Sequence, residues 1–93
     1  MERTKPGAVR VIVRVKLFAM LRDLLPVGSD GESVSLDMPA GATPRDVIER
    51  LAIPTGMAHL VMIEGRHLVP EEVRQHVLQP GEVLAIFPPI AGG

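Results

Sequence analysis

The chain has no cysteine, tryptophan or tyrosine and only two phenylalanines among its 93 residues. Without cysteine there is no disulfide framework, no thiolate metal site and no cysteine nucleophile, which suits a reducing compartment and makes the cytoplasm the expected location. Two aromatic rings offer little for bases to stack on, so no nucleic acid is expected as a partner. Long apolar runs are also missing. Arg10, Arg14 and Lys16 break up "AVRVIVRVKLFAML", which argues against an export signal, and nothing nears the roughly 18 apolar residues of a membrane span. A soluble chain with no membrane partner is expected.

Other absences narrow the chemistry. His59, His67 and His76 have no pair at helical ligand spacing, so no metal site is expected. Glu71 and Glu72 are adjacent, and neighbouring helix positions do not face each other. No phosphate-binding glycine loop follows a strand, so no cofactor should be bound by the chain itself.

What is present is pattern. Net charge is −1, yet Arg3, Lys5, Arg10, Arg14 and Lys16 place half of the ten basic residues in the first 16 positions. Such an end could attract an acidic partner, although a loose leader followed by a strand with a solvated face accounts for it. The leader is residues 1–9, "MERTKPGAV". Val11, Val13, Val15 and Leu17 then alternate with Arg10, Ile12, Arg14 and Lys16, the period of a strand with one buried face. Leu21, Leu24 and Leu25 predict a short helix after it. "PVGSDGE" is turn chemistry, and Val34, Leu36 and Met38 mark a second strand forming a hairpin with the first.

Thr43 as N-cap, Pro44 at the first helical position and Asp46 three residues past the cap start the main helix, which Val47, Ile48 and Leu51 make apolar on one face. Pro54 and Gly56 are expected to stop it. "HLVMI" is a third strand, Glu64-Gly65 a turn, Arg66 to Val69 a short edge strand and "PEEVRQH" a brief helix. Pro80-Gly81 sits at the centre of a type II turn, where glycine supplies the positive φ. The last strand is Glu82 to Phe87. The order predicts an α+β fold, a mixed and mostly antiparallel sheet covered on one face by a helix.

The chain closes with "VLAIFPPIAGG". Pro88 and Pro89 cannot donate ladder hydrogen bonds, so they end the sheet and hold the chain extended. Residues 88–93 span roughly 20 Å at full stretch, enough for an arm to enter a neighbouring protein. Val83, Ala85 and Phe87 share one side of the preceding strand, and Leu84 and Ile86 the other. Both sides are apolar, so alternation leaves open which faces inward, and whether Phe87 is a core or a surface ring. The outward side should form an interaction patch. Phe18 is expected in the core.

Three stretches carry a family resemblance: "VKLFAMLRDLL", the helix start at Thr43-Pro44-Arg45-Asp46-Val47, and "LQPGEVLAIFPPIAGG". Together they resemble the MoaD/ThiS family of ubiquitin-like sulfur carriers over residues 10–93, and the diproline ending is most similar to the MoaD branch, the small subunits of molybdopterin synthase. The resemblance implies a β-grasp domain over residues 10–87 and a reactive tail over 88–93. It implies that Gly93 is adenylated and converted to a thiocarboxylate, with Gly92 letting the backbone pass a narrow channel, and that Phe87, Pro88, Pro89, Ile90 and Ala91 contact partners. The implied partners are an ATP-using adenylating enzyme of the ubiquitin-activating type (MoaB-, MoeB- or ThiF-like), a persulfide sulfur donor and a MoaE-like large subunit that holds a pterin precursor. The chain would be a cosubstrate with no active site of its own. Thiamine, tRNA thiolation or another pathway, or use as a ubiquitin-like protein modifier, are the alternative destinations.

Overall fold

The strand alternation at the start of the chain produces a central strand with a dry side. In the computed structural model, which describes residues 9–90, β1 (Arg10–Leu17) buries Val11, Val13, Val15 and Leu17 and turns Ile12 and Lys16 outward. It pairs antiparallel with β2 (Ser33–Pro39), Val13 opposite Leu36 and Val15 opposite Val34, so the apolar sets of both strands share one face. The turn before β2 is held by Asp30. Its carboxylate accepts the backbone N–H of Ser33 at 2.7 Å and of Glu32 at 3.0 Å, and Arg14 donates to it at 3.0 Å.

Thr43 starts α1 (Pro44–Arg50) as the sequence predicts. Its hydroxyl accepts the Asp46 N–H while the Asp46 carboxylate accepts the Thr43 N–H at 2.9 Å, a complete capping box. The helix lays Val47, Ile48 and the following Leu51 on the inner face of the sheet, against a core that includes Val13, Val15, Leu84 and Ile86. Each fully buried aliphatic side chain in this layer contributes about 1.5–3 kcal/mol.

The helix does not wait for Pro54 and Gly56. It stops at Arg50 because Ala52 turns left-handed, with φ 57°; the Ala52 N–H donates to the Glu49 carbonyl and the Ile53 N–H to that of Ile48. That pair of bonds satisfies the carbonyls a helix end leaves orphaned, with alanine in the place glycine usually takes.

The second half adds β3 (Leu60–Ile63), β4 (Arg66–His67), α2 (Pro70–Gln75) and β5 (Val83–Phe87). The edge strand is shorter than expected and ends at His67, because Leu68 turns into the core and Val69 becomes the cap of α2, its N–H donating to the Glu72 carboxylate at 3.1 Å. The sheet order is β2-β1-β5-β3-β4, with β5 parallel to β1 and antiparallel to β3. This is the ubiquitin-like β-grasp arrangement, one mixed sheet with its main helix across one face. No helix among the described residues is long and apolar enough to cross a membrane. The leader up to residue 8, and Ala91, Gly92 and Gly93, lie outside the described residues.

Candidate functional site

The register of β5 decides which of its two apolar sides is which. Leu84 stands beside Val15 and opposite Ile63, and Ile86 beside Leu17 and opposite Val61, so these two complete the core and are fully buried. Val83, Ala85 and Phe87 are therefore on the outer face of the sheet, half-buried. Phe87 pairs with Leu60 and Ala85 with Met62, and all four side chains project from that same face.

Phe18 also lies outside the core, contrary to expectation. It follows the last residue of β1 and stacks on Phe87, ring centroids 4.0 Å apart and planes within 11°. Such a pair is worth about 0.5–1.5 kcal/mol beyond the area it buries. Phe18, Leu60, Met62, Ala85 and Phe87 thus form an apolar patch on the side of the sheet opposite α1, with Val83 extending it along β5.

Both ends of β5 are tied down. At its start the Gly81 N–H donates to the Ile12 carbonyl at 2.8 Å and the Arg14 N–H to the Glu82 carbonyl at 2.9 Å. Gly81 has φ 80°, which the Pro80-Gly81 turn requires. The Glu82 carboxylate accepts the Gln79 N–H at 2.8 Å and meets His76 Nε2 at 3.0 Å. Glu64 adds a latch that sequence reasoning missed: its N–H donates to the Val83 carbonyl at 3.0 Å, and its carboxylate accepts the Val83 N–H at 2.7 Å. At the far end the Phe18 N–H donates to the Ile86 carbonyl and the His59 N–H to the Phe87 carbonyl.

Beyond Phe87 the ladder has nothing to continue with, because Pro88 and Pro89 carry no N–H. Pro88 is half-buried, Pro89 exposed, and Ile90 is 84% exposed. The chain therefore leaves a strand fastened on both sides, directly past the Phe18–Phe87 stack. Of the sequence-predicted site residues, the structure brings Phe87, Pro88, Pro89 and Ile90 together at this exit.

Elsewhere, a cleft of about 340 Å³ opens between α1 and α2 over Ile48, Ile53, Leu68 and Val73. Arg45 and Glu49 on its wall neutralise each other at 3.3 Å. Among the described residues no group of three or more His, Asp or Glu side chains could hold a metal ion.

Three comparisons bear on this geometry. A family model described as the ThiS family matches residues 15–93. No curated protein matches the chain. Among solved structures it is similar to the HVO 2177 protein of Haloferax volcanii, known from a solution structure, with 24% identity, a TM-score of 0.71 and coverage of 100% of this chain and 94% of that one. It is also similar to SAMP1 of the same organism, known from a crystal structure, with 23% identity, a TM-score of 0.61 and coverage of 88% and 99%.

Proposed function

The chain belongs to the ThiS family of ubiquitin-like sulfur carriers, and from that premise we propose that Gly93 is the sulfur-bearing end of a carrier that a partner grips by the outer sheet face. The observation that carries this reading is the exit from β5: a strand bonded on both flanks, an apolar patch beside it, and two prolines leading outward. Rigid body and extended arm divide the labour. The patch fixes where the partner sits, and the arm delivers a carbonyl into the partner's site.

The chemistry needs help from outside. A carboxylate is a poor acyl donor, so an adenylating enzyme joins Gly93 to AMP from ATP, releasing pyrophosphate. The terminal sulfur of a persulfide then attacks the carbonyl and AMP departs. A thiol cleaves the resulting S–S bond, leaving a thiocarboxylate on Gly93 and a disulfide on the donor side. The protein's own contribution is the exit at Pro88 and Pro89 beside the apolar patch, together with a sequence that has no cysteine to intercept the activated carbonyl.

The diproline ending favours a MoaE-like large subunit as recipient, with a pterin precursor as the sulfur acceptor in molybdenum-cofactor synthesis. Intact mass spectrometry after incubation with the native adenylating enzyme, ATP and a persulfide donor tests the reading. One oxygen should be exchanged for sulfur, and deletion of Gly93 should abolish the exchange while the fold persists. Normal sulfur acceptance by the deletion variant overturns it. Lysine-linked adducts carrying a Gly-Gly remnant would assign the same terminus to protein modification instead.

A further inference from the structure

Among the described residues, the outer face carries one formal charge, that of Lys16, with no ion pair. Across the sheet, Ser33, Lys16, Ala85, Met62 and His67 form a single row, each opposite the next in the strand register. Lys16 therefore stands at the β2 border of the apolar patch, between Ala85 and Ser33, with Phe18 two residues further along the same face. The other cations of this face are matched. Arg10 meets Asp37 at 2.9 Å, and Arg14 meets Asp30 at 3.0 Å and the Ser33 and Ser35 hydroxyls. Lys16 is exposed and has no ion pair or side-chain hydrogen bond within the described residues. Asp30 is not available to it, since its two oxygens serve Arg14, Ser33 and the turn backbone.

Covering the patch covers this ammonium, and a charge that loses water without gaining a partner strongly opposes association. Resting on the carrier reading above, we propose that the adenylating partner presents an apolar surface with an aspartate or glutamate carboxylate aimed at Lys16. The same residue argues against a second copy as occupant. A two-fold dimer through this face would lay the patch on itself and cover both Lys16 ammonium groups, while the carboxylates beside them, Asp37 and Asp30, are already engaged by Arg10 and Arg14. Lys16 is thus a specificity device. It rewards a carboxylate-bearing partner and penalises self-association.

ATP-dependent adenylation of the full-length chain by its native adenylating enzyme tests this, with carrier concentration varied to separate KM from kcat. Lys16→Glu should raise KM at least about tenfold with kcat unchanged, and Lys16→Arg should stay within about threefold of wild type, because it keeps the charge. The wild-type KM should rise with added salt more steeply than that of Lys16→Met. Matching circular dichroism spectra and melting curves across the variants exclude a folding defect. An unchanged KM for Lys16→Glu, or a wild-type protein that sediments as a dimer disrupted by Phe87→Ala, overturns the proposal while leaving the carrier reading intact. A wild-type chain that is never adenylated overturns the carrier reading itself, and this inference with it.

Discussion

At Ala52 the backbone takes a conformation that a Cβ disfavours by about 1 kcal/mol, yet the two bonds that end α1 need it. Ala52→Gly should therefore stabilise the fold slightly, by up to about 0.5 kcal/mol, the relief of strain just exceeding the added freedom of the unfolded chain; urea unfolding measures it. Nothing in the letters Leu51-Ala52-Ile53 announces such an end, which is why Pro54 and Gly56 look like the stop. Asp30 makes a pH prediction. Backbone N–H bonds from Glu32 and Ser33, aided by the Ser33 hydroxyl and Arg14, hold its carboxyl at about 2, below the ordinary 3.8. A depressed carboxylate stabilises the fold fully above its unfolded pKa, and that contribution is lost as pH falls from about 4 through about 2. Asp30→Asn should be less stable than wild type near neutrality, and the gap should close in acid over that window.

Among the elements, α1 was readable because its start is chemical: Thr43, Pro44 and Asp46 stand at the spacing a capping box needs, and the structure builds one. Thr43→Ala should cost about 1 kcal/mol, seen as a lower thermal midpoint. β1 was readable for a different reason, since charge and valine alternate along it and only one face can be dry. β5 was not, because Val83, Ala85 and Phe87 are as apolar as Leu84 and Ile86; register against β1 and β3 settles it, and register is a property of pairs of strands. The Glu64 latch is hidden for the same cause. Glu64 sits at φ 49° in the β3–β4 turn, and only the approach of Val83 explains a charged residue there. Glu64→Ala should speed amide exchange at Val83 more than at Ile86, because it frees the start of the strand and leaves its end fastened.

For the molecule as a whole, the proposed role of the outer face in docking predicts that folding and function separate. Phe87→Ala removes a half-buried ring and its stacking partner's contact, so the thermal midpoint should fall by only a few degrees. The same variant should weaken docking on the adenylating enzyme at least about tenfold, as expected of a central aromatic anchor. Equal losses in both measurements would make Phe87 a structural ring and move the docking face elsewhere. The fold class and the end of β5 at Phe87 were legible, being written in periodicity and in Pro-Pro. The Phe18–Phe87 stack joins residues 69 positions apart (87 minus 18) and belongs to the tertiary structure alone.

The placement of β5 beside β1 also governs the order of events during synthesis. The middle of the sheet stays vacant until residues 83–87 emerge, since β1 on one flank and β3 on the other both wait for the same strand. Such a distant pairing is slow and late. A chain that stops before that point leaves β1 and β3 as bare edges with no strand between them. The strand that completes the sheet is also the one that leads directly into Pro88 and Pro89.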